Sequence, residues 1–77
     1  MDNSINTLPR AVDIWFTEDM LYVRLEDSRE VGVPLEWFPK LRNATEPQKN
    51  NWRLIGHGIG IHWEEIDEDI SVRKLIF

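Results

Sequence analysis

Trp52-Arg53-Leu54-Ile55-Gly56-His57-Gly58-Ile59-Gly60-Ile61-His62-Trp63-Glu64-Glu65-Ile66-Asp67-Glu68-Asp69-Ile70 holds two of the four tryptophans, both histidines and three of the four glycines. How this stretch is read decides the architecture. Gly58 to Trp63 alternates with period two and sets Ile59, Ile61 and Trp63 on one side, the pattern of a half-buried strand. Just before it, Trp52 and Ile55 stand three apart, a helical spacing that Gly56 would terminate. Just after it, five of the six residues 64–69 are acidic and none is basic, a charge of −5 that equals the formal net charge of the whole chain. The other 71 residues carry nine acids against nine bases, so the net charge of the chain resides in one loop.

Upstream, Thr45-Glu46-Pro47-Gln48 has the form of a capping box, with proline tolerated in the first turn. A helix is expected from Glu46 to about Ile55, with Trp52 and Ile55 facing a sheet. Before that, Leu35, Phe38 and Leu41 recur every three residues, with Trp37 beside them. Pro34 suits a first helical position, but Pro39 disfavours a helical Phe38, so two short turns with a jog are expected. Further upstream, Ala11–Phe16 and Met20–Glu26 alternate, and Glu30–Val33 forms a third, shorter strand after the Asp27-Ser28-Arg29 turn. Such short connections demand an antiparallel meander. Its covered face should carry Val12, Ile14, Phe16, Leu21, Val23, Leu25, Val31 and Val33. Its other face should carry Trp15, Met20 and Tyr22. Residues 1–10 read as a flexible N-terminal tail before a single α+β domain over residues 11–77. Downstream, Ser71 can cap a last helix, Val72–Phe77, with Asp67 and Asp69 before its N-terminus. The expected fold is α+β: a small four-stranded, mainly antiparallel sheet, the meander plus one later strand, covered by two or three short helices.

A 77-residue chain buries roughly 60–65% of its extended surface, so large aromatics must do much of the packing. It has no cysteine, which removes disulfides and thiolate zinc sites. The N-terminus lacks the basic and apolar segments of a signal peptide, and no apolar run reaches the ~18–20 residues of a membrane span. A soluble cytoplasmic protein is expected. The acidic balance argues against direct nucleic-acid binding and is compatible with a basic protein partner.

The order Val33-Pro34-Leu35-Glu36-Trp37-Phe38-Pro39-Lys40-Leu41, then Ala44-Thr45, then Trp52 to Trp63, then Ile66-Asp67-Glu68-Asp69-Ile70-Ser71-Val72 resembles the domain-of-unknown-function family twenty-four forty-two. The resemblance covers about residues 10–77. Two departures are local: the Asp27-Ser28-Arg29 turn lacks the glycine usual there, and Glu64 stands where proline is common. The resemblance implies a small α+β domain of bacterial or phage origin, often encoded beside a second small protein in a toxin–antitoxin-like arrangement. Some members of that family are fused to a helix-turn-helix domain. None follows within these 77 residues, so a direct DNA-binding role is not expected. The family brings no catalytic residues with it.

Imidazoles and carboxylates together can hold zinc, manganese or iron, and His57 and His62 lie near the acidic run. The two histidines are five apart across a glycine hinge, however, and nothing in the spacing makes them converge. The Asp-Glu-Asp run also lacks the alternating ligands and glycine of a calcium loop. No metal and no cofactor are therefore expected. Gly56-His57-Gly58-Ile59-Gly60 follows a helical pattern and opens a strand, the reverse of a phosphate-cradling loop. Ser4, Ser28 and Ser71 fall in a tail, a turn and a helix cap, without the base that nucleophilic catalysis needs. An enzyme is not expected.

These readings converge on a non-enzymatic protein-binding accessory module, antitoxin-like by resemblance. It would dock a basic partner, such as the product of a neighbouring gene, through Glu64, Glu65, Asp67, Glu68 and Asp69 and through the aromatic face of Trp15 and Tyr22. The alternatives are a transcription-associated regulator acting with a separate DNA-binding partner and, third, a small metal-dependent enzyme.

Overall fold

The computed structural model describes residues 9–76. Strands β1 (Ala11–Phe16), β2 (Met20–Leu25) and β3 (Glu30–Pro34) form an antiparallel sheet in the order β1-β2-β3. The expected inner face is present, with one change. A bulge between Ala11 and Asp13 leaves Val12 as the extra residue, since Ala11 pairs with Leu25 and Asp13 with Arg24. Ala11 therefore turns inward, and Val12, expected in the core, is 50% exposed. The extra residue shifts the face parity of everything before it. Asp13 Oδ1 accepts from the Ile14 amide at 2.9 Å beside the bulge.

The jog after β3 is present. A 3-10 turn, Leu35–Trp37, breaks at Phe38 (φ −130°, ψ 84°), and the short helix α1 (Pro39–Arg42) starts at the proline. Next comes α2 (Glu46–Lys49), with its capping box complete: the Thr45 amide donates to Gln48 Oε1 at 2.9 Å, and the Gln48 amide donates to Thr45 Oγ1 at 3.3 Å.

The helix does not continue to Ile55. It stops at Lys49, and Trp52–Ile55 is strand β4. Asn50 and Asn51 separate the two, and asparagine competes for backbone hydrogen bonds that would extend a helix. The burial then alternates, with Trp52 and Leu54 half-buried and Arg53 and Ile55 exposed. The Trp52/Ile55 spacing suited a helix, but the periodicity realised is two. A single four-stranded sheet is thereby replaced by two three-stranded ones. Strands β4, β5 (Gly60–Trp63) and β6 (Glu68–Ser71) form the second antiparallel sheet, in the order β4-β5-β6. The last third of the acidic run, expected as loop, is strand. Helix α3 (Val72–Ile76) follows directly on β6, and the Val72 amide donates to the Ile59 carbonyl at 3.0 Å.

One core spans both sheets. Ile14, Leu21, Val23, Leu25 and Val33 come from the first, Ile61, Trp63 and Ile70 from the second, and Leu41, Val72 and Leu75 from helices. Phe16 of β1 meets the Trp63 ring edge-on at 6.4 Å, which joins the sheets. Of the expected tail, residues 1–8 lie outside the described residues. At its end, the Arg10 carbonyl accepts from the Glu26 amide at 2.8 Å.

Candidate functional site

The acidic run is built as a hairpin. Glu64 to Asp67 form the turn between β5 and β6, with Asp67 in the left-handed region at φ 53°. Glu68 and Asp69 then pair with Trp63 and His62 across the ladder. Ile66 reaches back toward the core, which anchors the turn and leaves its carboxylates outside.

Tertiary contacts bring bases to a stretch that contains none between residues 64 and 69. Arg53, opposite His62 on β4, places Nη2 3.5 Å from Glu64 Oε1. His62 lies between two carboxylates, with Nδ1 2.5 Å from Asp69 Oδ1 and Nε2 3.6 Å from Glu64 Oε1. Asp69 thus faces a histidine across the strands instead of supporting α3. Lys40 Nζ donates to the Asp67 carbonyl at 2.9 Å, and Gln48 Nε2 donates to Glu65 Oε2 at 3.3 Å. Glu65, Asp67 and Glu68 have no cationic side-chain partner among the described residues. Exposed pairs of this kind contribute about 0–1 kcal/mol each, and five carboxylates against Arg53 and the Lys40 ammonium leave the hairpin net negative.

The second predicted face is also assembled. Trp15 and Tyr22 are opposite each other on β1 and β2, and their rings stack at 5.7 Å with planes 14° apart. Arg24 lies 5.2 Å over the Trp15 ring and bonds Glu30 on β3 at 2.7 Å. Gly32, opposite Tyr22, leaves room for that ring: a Cβ there would stand 2.6 Å from Tyr22 Cε1. Both aromatics are half-buried, partly by each other. They belong to the first sheet and the acidic hairpin to the second. No hydrogen bond or ion pair among the described residues joins the two.

His57 and His62 do not converge. His57 is exposed, in a left-handed turn between Gly56 (φ 59°) and Gly58 (φ 97°), while His62 is half-buried on β5. Among the described residues no group of three or more histidines and carboxylates could hold a metal ion. Ser28 lies in the β2–β3 turn and Ser71 ends β6. Among the described residues, no helix is long and apolar enough to cross a membrane.

Sequence reasoning passed over Trp37. It is 62% exposed at the end of the 3-10 turn, beside Glu36, which Arg42 contacts at 3.3 Å. The signal was present, because the spacing of Leu35, Phe38 and Leu41 leaves Trp37 off the apolar stripe.

The comparisons agree with this architecture. A family model described as "Protein of unknown function (DUF2442)" matches residues 11–77. A crystal structure of a protein of unknown function from Rhodospirillum rubrum ATCC 11170 is 28% identical, covers 91% of this chain and 87% of its own, and superposes with a TM-score of 0.78. No curated protein matches the chain.

Proposed function

The chain belongs to the DUF2442 family of proteins of unknown function, and from that premise we propose that it is a protein-binding accessory module for a basic partner. The acidic hairpin carries the reading. Five carboxylates project from one turn and the strand after it, three of them without a cationic side-chain partner among the described residues. Such a field steers a cationic surface to the hairpin and raises the association rate. The Trp15/Tyr22 face, stacked and half-buried, supplies a second, apolar contact. An antitoxin-like, non-enzymatic and cytoplasmic role belongs to the same proposal.

The test uses the product of the neighbouring gene as partner. Glu64 and Asp69 stay intact, because removing either would leave Arg53 or His62 without its carboxylate. The triple variant Glu65→Gln, Asp67→Asn, Glu68→Gln removes the three carboxylates that lack such partners, and asparagine tolerates the left-handed backbone at position 67. It is expected to fold as the parent does. Its association is expected to slow by roughly ten-fold or more at low salt, with a smaller difference at high salt. An unchanged rate at low ionic strength would leave the hairpin as a solvated surface.

A further inference from the structure

We propose that the groove at the far end of β6 from the acidic hairpin binds an acidic peptide segment, taking one apolar side chain into the groove and its carboxylates onto the arginine rim. The groove has a volume of about 230 Å3 and is lined by Pro9, Ile59, Ser71, Val72 and Arg73. That is below the ~300–1,000 Å3 of a small-molecule site, so it fits a side chain better than a cofactor. Its apolar wall, Ile59, packs closely over a glycine. A Cβ at Gly56 would stand 2.5 Å from Ile59 Cγ1, so only glycine lets Ile59 lie across the turn, where it remains 55% exposed. Val12, pushed outward by the bulge, is 50% exposed on the strand that this turn contacts.

Charge selects the occupant. Of the nine lysines and arginines, Arg24, Arg29, Arg42, Lys49 and Arg53 each pair with a carboxylate, and Lys40 bonds the Asp67 carbonyl. The remaining three are Arg10, Arg73 and Lys74, and among the described residues none meets a carboxylate. Arg73 lines the groove, Lys74 follows it, and Arg10 follows the lining residue Pro9. Arg10 Nη1 donates to the Gly56 and His57 carbonyls, at 3.3 and 3.5 Å. Among the described residues, the cations without a carboxylate partner thus line this groove (Arg73) or stand next in sequence to its lining residues (Arg10 and Lys74). Along β6 the lining residue Ser71 lies two residues, roughly 7 Å of strand, beyond Asp69, the last carboxylate of the acidic run, which is turned to His62. The hairpin of a second copy is a poor occupant, because its one apolar residue, Ile66, is turned into its own core.

The probe is a capped pentapeptide, acetyl-Asp-Glu-Leu-Glu-Asp-amide, titrated into the isotope-labelled full chain and followed by amide NMR. Saturable shifts are expected at Ile59, Ser71, Val72 and Arg73, with none there for the same peptide carrying lysine in place of its acids. Arg73→Ala and Ile59→Ala change exposed side chains, so the rest of the spectrum should stay in place, and each should weaken the peptide by roughly ten-fold. Four results would overturn the proposal: no saturable shift up to peptide concentrations on the order of 1 mM; equal shifts with the lysine peptide; shifts confined to the Trp15/Tyr22 face; or groove shifts produced by phosphatidylglycerol vesicles but not by the peptide. Since this surface is separate from the acidic hairpin, its failure would leave the basic-partner reading standing.

Discussion

Ser28 occupies φ 77° in the β2–β3 turn, a left-handed conformation that costs an L-residue roughly 1–2 kcal/mol and glycine almost nothing. Its amide donates to the Leu25 carbonyl at 2.9 Å, a bond that glycine would keep. Ser28→Gly is therefore expected to stabilise by about 0.5–1 kcal/mol, after the greater entropy of glycine in the unfolded chain is subtracted. A denaturation midpoint that falls instead would show the hydroxyl to matter more than the backbone. Beside it, the Asp27 carboxyl is held below its ordinary value, first by a hydrogen bond from the Arg29 amide; desolvation, the next effect in size, opposes this, and the Arg29 side chain adds to the lowering. A depressed carboxyl stabilises the fold above its unfolded value and loses that contribution as pH falls through the folded one. The stability gap between the parent and Asp27→Ala should accordingly be widest near neutrality and shrink below about pH 4. A gap that is flat with pH would mean that the carboxylate charge is irrelevant to the turn.

Among the elements, α2 depends most on its ends. Four residues are too few for helical propensity to hold, and the reciprocal Thr45–Gln48 box satisfies two amides that would otherwise be open. Thr45→Ala is expected to cost about 1 kcal/mol by urea denaturation. A cost near zero would show the helix held wholly by its neighbours. One such neighbour is Trp63, whose Nε1 donates to the Lys49 carbonyl at 3.0 Å and so ties the last residue of α2 to β5.

At the scale of the whole molecule, Trp63 is where the parts meet. It is fully buried, it receives Phe16 from the first sheet and it lies opposite Trp52 on β4. Trp52, expected under a helix in the core, is only half-buried on an edge strand. Trp63→Ala should cost about 3–5 kcal/mol, enough to unfold a marginal domain of this size, and Trp52→Ala distinctly less. Thermal melts of the two variants check the order. If Trp52→Ala is the more damaging, the two sheets are held together elsewhere than at Trp63.

Local chemistry determined much of this protein. The strand alternation in residues 13–25, the jog at Phe38-Pro39, the Thr45 box and the pairing of Trp15 with Tyr22 each follow from residues a few positions apart, and the structure contains them all. The motif order from Val33 to Val72 carried the family resemblance, and the family model matches residues 11–77. Other features needed the tertiary structure. The spacing of Trp52 and Ile55 suits a helix, and pairing with β5 overrode it in favour of the strand, since an isolated four-residue segment has no preference strong enough to decide. The bulge at Val12 has no local signature, and it lies beside a contact 47 residues away in sequence: a Cβ at Gly58 would stand 2.4 Å from the Ala11 carbonyl oxygen. The acidic run reads as unopposed for the same reason. Arg53 and Lys40 reach it from β4 and α1 through space, and electrostatic energy depends on distance in the fold and not on separation along the chain.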